Sequence, residues 1–206
     1  MGRSEGTRLA LMRAAERLLL ERGVDQVSLR EVGALAGQGN SSAALYHFKD
    51  KRGLIEGVLL RHSLGIEEAW FRRLAELDRD GSASLPVLLN LLVESLVRKL
   101  DDEDGGRAYL TLCAELLTSR TIPLMETKSA QGAGSAELLR RILERTDEID
   151  PAVLPTRMLE FAALLFGAIY QHAHLRDLGA ALPQVEFVCE LTGSLEALVT
   201  RPSRSA

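Results

Sequence analysis

An all-α fold is predicted from three features of the chain. Apolar residues recur at helical spacing along its length, and no stretch alternates with period two for long enough to make a sheet. Clusters of Gly, Pro, Asp and Ser divide the chain into segments of helical length. The first helix is expected over about Thr7 to Arg22, where Leu9, Met12, Ala15, Leu18 and Leu19 share one face. Ser28-Leu29-Arg30-Glu31 then forms a capping box, in which the Ser28 hydroxyl takes an orphan amide and Glu31 reaches back to the cap. The second helix carries Leu29, Val32 and Ala36 on its apolar stripe, with Leu35 alongside. Gly37 supplies the left-handed residue that ends it, and Gln38 to Asn40 turn the chain. Asn40 or Ser41 caps a third, short helix. In that helix Ala44, Leu45 and Phe48 are expected to face inward, with Ser41, Ser42, Tyr46 and His47 outward.

A long helix starts at the Asp50 cap and carries Leu54, Val58, Leu59, Ile66, Trp70, Phe71 and Leu74 to about Asp78, where Asp80-Gly81-Ser82-Ala83-Ser84 breaks it. Further helices are expected at about Leu85 to Leu100, Arg107 to Ser119, Ala136 to Arg145, Pro155 to Arg176 and Pro183 to Thr200. Arg201 to Ala206 reads as a tail. The organisation expected is an N-terminal three-helix unit over residues 1–50 and a larger helical unit over 51–206, about nine helices in all. Two helices joined by a glycine turn, the second short, polar outward and small inward, make a helix-turn-helix of the kind that lays side chains into a DNA groove.

The chain resembles the tetR (tetracycline-repressor-like) family of bacterial transcriptional regulators. The resemblance rests on Ala14-Ala15-Glu16-Arg17-Leu18, Arg22-Gly23-Val24, Val27-Ser28-Leu29-Arg30-Glu31-Val32, Ala36-Gly37 and Tyr46-His47-Phe48-Lys49-Asp50-Lys51, and covers about residues 7 to 56. The commoner family pattern has a shorter turn after Ala36-Gly37 and an aromatic residue where this chain has Leu45; the sequence looks like the branch that opens Asn-Ser-Ser-Ala and ends Tyr-His-Phe. The resemblance implies a homodimer that binds double-stranded operator DNA and releases it when a small-molecule effector enters the larger unit, with the long helix from Asp50 as the connecting lever. It also implies phosphate contact by Lys51, which sits in the first turn of a helix whose amides and dipole already favour an anion. Ser28, at another helix start, is a second phosphate candidate; Tyr46 and His47 are the large groove-facing side chains; Gln38, Asn40, Ser41 and Ser42 are short polar groups suited to phosphates or base edges.

Charge is compatible with this. Residues 1–60 hold nine Lys and Arg against seven acids, a balance of +2 within a 206-residue chain whose total is −4, so the acidic excess lies beyond the DNA-binding head. Met1 to Gly6 carries no apolar segment, and the longest apolar run, Phe161 to Tyr170, falls far short of the about 20 residues that cross a bilayer. A cytoplasmic protein with no membrane partner is therefore expected. Cys113 and Cys189 are too few for a disulfide framework. His172 and His174 diverge by about 200° on a helix of 3.6 residues per turn, so no metal site is expected from them. No nucleophile elbow, phosphate loop or paired-carboxylate motif argues for an enzyme, and no cofactor is expected.

For the effector, Trp70, Tyr109, Cys113, Glu115, Phe161, Phe166 and Tyr170 are the candidate lining, although each taken singly is more readily a core residue, since burial is the default for apolar side chains. Glu115 stands out because a carboxylate in the apolar stretch Leu110 to Leu117 needs a partner. Val188, Leu191, Leu195 and Leu198 step by three and four, and the helix from Pro155 is apolar on most of its circumference with Ala162, Ala163, Gly167 and Ala168 allowing close approach. Both features point to self-association. The rival reading is a helical interaction or small-molecule carrier bundle that uses the helix-turn-helix only as scaffold.

Overall fold

The computed structural model describes residues 3–37, 42–146 and 149–202. Among them every regular element is helical: α1 Arg3–Arg22, α2 Leu29–Leu35, α3 Ser42–Phe48, α4 Lys51–Asp80, α5 Leu85–Val97, α6 Gly106–Leu116, α7 Ala133–Leu143, α8 Leu154–Asp177 and α9 Gln184–Thr200. Short 3-10 turns at Val24–Gln26, Arg98–Asp101 and Leu124–Glu126 lie in the connections. None of these helices is long and apolar enough to cross a membrane.

Packing divides the chain into two compact units. One takes in the chain up to Leu64 together with Asp102–Ala130; the other takes in Gly65–Asp101 and the chain from Gln131 onward. Helix α4 contributes to both.

In the first unit α1 packs against α2, α3 and α6, and this three-sided contact widens its buried surface beyond the single predicted stripe. Leu11, Ala14 and Ala15 are buried as well as Met12, Leu18 and Leu19, while Leu9 is only half-buried. Burial extends to a charged residue. Glu16 and His62 are each 4% exposed. The Glu16 carboxylate accepts from Arg61 Nη1 at 2.6 Å and lies 2.9 Å from His62 Nε2. Arg61 Nη1 also donates to the Asp104 carbonyl at 2.8 Å, and Arg13 holds the Asp104 carboxylate with two bonds of 2.8 and 2.9 Å. The network thus ties α1 to α4 and to the turn before α6. Gly105 turns the chain there with φ of 93°, and a Cβ at this position would fall 2.3 Å from Glu16 Oε2. Only glycine fits both the backbone and the space.

In the second unit α5 packs on α9 and α7, and α8 packs on α9. The core is built from Leu88, Leu89, Val93, Phe161, Leu165, Ile169, Leu191 and Leu195. Helix α7 has no side-chain cap of its own at Gly132. Glu67 of α4 replaces it, accepting from the Ser135 amide at 3.1 Å and from the Gly134 amide and the Ser135 hydroxyl. This borrowed cap is why α7 starts three residues before the predicted Ala136. Conversely, α6 stops at Leu116 instead of continuing to Ser119, because the Thr118 hydroxyl bonds the Glu115 carbonyl at 3.2 Å and competes with the helical ladder.

One assignment of faces is corrected. Val188, Leu191 and Leu195, the α9 stripe expected to serve self-association, are buried inside the chain, since α5 and α8 pack on the same helix. The outward surfaces are different. Leu159 and Tyr170 of α8 and Val185 of α9 are exposed, and Gly167 has open space where a Cβ would stand.

Candidate nucleic-acid interface

The first unit builds its head from three short-range signals. At the start of α2 the Glu31 amide donates to Ser28 Oγ at 3.3 Å, the Ser28 amide donates to Glu31 Oε2 at 3.2 Å, and the Ser28 hydroxyl donates to the same carboxylate at 2.6 Å. The hydroxyl is thereby engaged within the box. These bonds, with Arg22 at 2.9 Å, hold the Glu31 carboxyl below its ordinary range. Gly37 closes α2 with φ of 68°, the left-handed conformation its sequence position calls for.

Helix α3 follows. Ala44 and Phe48 are buried, and the Phe48 ring lies 5.2 Å from the Arg8 guanidinium. Tyr46 points the other way and is 81% exposed; His47 is half-buried and meets the Tyr46 ring edge-on, with centroids 5.2 Å apart. The expectation for Leu45 is overturned. It is 51% exposed, because Ala44 and Phe48 already fill the inward direction and Leu45 lies about 100° round the helix from Ala44. Its angular position could have shown this in the sequence. Gln38, Asn40 and Ser41 lie outside the described residues, as does the side chain of Ser42 at the start of α3.

The exit from α3 is tight. Lys49 takes a positive φ of 65° with its side chain exposed, and the Asp50 amide bonds the Phe48 carbonyl at 2.7 Å. Asp50 then caps α4, its carboxylate accepting from the Gly53 amide at 2.7 Å. Lys51, half-buried in the first turn, donates to the Asp25 carbonyl at 2.9 Å, which pins its ammonium beside the 3-10 turn.

The candidate effector residues fall in both units. In the first, Tyr109 and Cys113 are buried on α6; burial pushes the Cys113 thiol up to about 12, against a hydrogen bond from Tyr109. Glu115, the carboxylate in need of a partner, accepts from the Val24 amide at 2.6 Å and borders a recess of about 500 Å³ with Arg22 and Arg120. In the second, Trp70 and Phe161 are buried, Phe166 is half-buried and Tyr170 is exposed. An open recess of about 630 Å³ lies between α4, α5 and α9, lined by Arg73, Leu77, Asn90, Val185, Cys189 and Thr192. Sequence reasoning did not single out Arg73, Asn90 or Thr192, since none breaks its helical pattern. Trp70 Nε1, His172 Nε2 and Thr192 Oγ1 are buried without a hydrogen-bond partner. Among the described residues no group of three or more His, Cys, Asp or Glu could hold a metal.

Residues 11–58, which run from the middle of α1 to the first two turns of α4, match the family described as "Bacterial regulatory proteins, tetR family". The likeness to the tetR family lies in this N-terminal segment. A curated relative, the HTH-type transcriptional repressor BepR of Brucella suis biovar 1 (strain 1330), is 34% identical over 95 residues, 46% of this chain. That match spans 42% of the relative's length. Two solved structures share the fold along nearly the whole chain. A HlyIIR mutant with residues 170–185 substituted by alanine aligns over 94% of this chain and 97% of its own, with 18% identity and a TM-score of 0.56. A Clostridium perfringens protein described as a fatty acid metabolism regulator aligns over 95% and 100%, with 16% identity and a TM-score of 0.55.

Proposed function

We propose that this chain is a transcriptional regulator that represses genes in the bacterial cytoplasm by binding a near-palindromic operator as a homodimer and releases it when a small molecule binds. The observation that carries the reading is α3: a helix anchored by Ala44 and Phe48 that turns Tyr46 outward, between a capped α2 and the lysines at 49 and 51, in a segment of tetR-family sequence. Tyr46 and His47 face the major groove, Gln38, Asn40, Ser41 and Ser42 meet phosphates or base edges, and Lys51 and the Ser28 helix start meet phosphates. Two heads on one duplex require a two-fold dimer, and the exposed apolar residues Leu159 and Tyr170, with open space at Gly167, supply a face for it on α8.

Release needs only that an effector favour a geometry in which the heads no longer fit the duplex, a coupling of about 1–3 kcal/mol. The unpartnered Trp70, His172 and Thr192 atoms of the second unit, together with the recess that Thr192 borders, support an effector with polar groups on an apolar body. The test is selection of duplexes from a random pool by the full chain, followed by binding across salt. A two-fold consensus is expected, and Lys51→Ala should weaken all duplexes alike and flatten the salt slope by about one unit. Selection of no sequence would overturn the reading and return the interaction-bundle alternative.

A further inference from the structure

Leu45 is a large apolar side chain of the head to which the fold gives little packing. It is 51% exposed, next to an Ala44 that is fully buried. The direction opposite the Ala44 and Phe48 stripe belongs to Tyr46, and at about 100° per residue Leu45 occupies the flank between that outward face and the core. On a helix lying in the major groove, such a flank approaches the groove wall, where phosphates and the C5-methyl groups of thymine are the available surfaces. A phosphate gives an isobutyl group nothing to bind. A thymine methyl gives it an apolar contact.

We infer that Leu45 reads thymine methyl groups, so that the operator carries a thymine under Leu45 in each half-site. The inference rests on the regulator reading above and adds to it a base and a side chain. Lys49 and Lys51 flank the helix exit with cations, the first exposed and the second half-buried, so phosphate contact there would fix the depth at which α3 sits. Cytosine lacks the methyl group, so Leu45 discriminates a T·A pair from a C·G pair without a hydrogen bond.

Deoxyuridine separates the methyl from everything else in the base. The full chain first selects a duplex from a random pool, and each thymine of that duplex is then replaced singly by deoxyuridine. Binding should weaken about fourfold at one thymine in each half-site, the worth of one buried methyl at about 0.8 kcal/mol, and stay unchanged elsewhere. In Leu45→Ala, whose melting temperature should match the parent because the side chain is half in solvent, the same deoxyuridine should cost nothing. Leu45→Met, still apolar and long, should restore the penalty. Deoxyuridine tolerated at every position, or a penalty of equal size in Leu45→Ala, overturns the assignment and leaves the regulator reading standing. A chain that selects no sequence overturns both.

Discussion

Glu16→Gln tests the polar core of the first unit. The change keeps the volume of the side chain and removes its charge, so packing is held constant. In the native chain the carboxylate is 4% exposed and serves Arg61 at 2.6 Å and His62 at 2.9 Å. A hydrogen bond to a charged group contributes about 1.5–3 kcal/mol, and breaking a buried ion pair outright costs about 3–5 kcal/mol. Arg61 retains Asp104 as a partner, and the glutamine carbonyl can still accept one bond, so the lower part of that range applies. A loss of about 2 kcal/mol is expected, read as a fall of about 4–8 °C in melting temperature for a chain of this size. Arg13→Ala is the control, because the Arg13 and Asp104 side chains are half exposed and such pairs contribute about 0–1 kcal/mol. Circular dichroism during thermal and urea unfolding reads both. If Glu16→Gln melts with the parent, or Arg13→Ala costs as much, the buried network is not what joins α1 to α4.

Asp104, held down to about 2 by Arg13 first and Arg61 next, gives a pH signature. Its folded pKa lies below the ordinary 3.8, so its contribution is complete above about pH 4 and lost as the pH falls through about 2; Asp104→Asn should flatten the acid limb of the stability curve in that window, as urea midpoints measured from pH 5 to 2 would show. Cys113 should resist a thiol reagent at pH 8 until the chain unfolds, because burial keeps the thiol protonated and covered, and native mass spectra of the labelled protein should carry the label at Cys189 alone. Gly167→Arg fits the isolated chain, where nothing stands within 4 Å of the added Cβ, but blocks a helix packed on that face; sedimentation should show folded monomers with weakened operator binding, and an intact dimer would move the interface elsewhere.

The parts of this molecule legible in its sequence are those decided within a few residues. The Ser28 and Glu31 box, the left-handed Gly37 and the Asp50 cap are local geometry, and each stands where its residues call for it. What was not legible depends on partners far along the chain. Glu16 looks like a surface acid on an amphipathic helix; α6 and α4 bury it by covering a second side of α1, a contact flagged only by the small pair Ala14 and Ala15. The α9 stripe at Val188, Leu191 and Leu195 is a true apolar face, but periodicity cannot say whether its partner is the same chain or another copy. Glu115 shows the same limit. Its need for a partner follows from its surroundings, whereas the identity of that partner, the Val24 amide, follows only from the fold.

The cap that Glu67 lends to α7 couples two segments far apart along the chain. A helix whose N-cap is Gly132, with no capping side chain of its own, leans on a carboxylate more than sixty positions earlier, so neither site can change freely alone. Substitutions there should come in pairs: a descendant that loses Glu67 gives up about 0.5–2 kcal/mol at the start of α7 unless Ser, Asp or Asn takes over at 132, and a chain that acquires such a residue frees position 67 to vary. Joint exchange at 67 and 132 is thus a mark by which descent from this arrangement can be read.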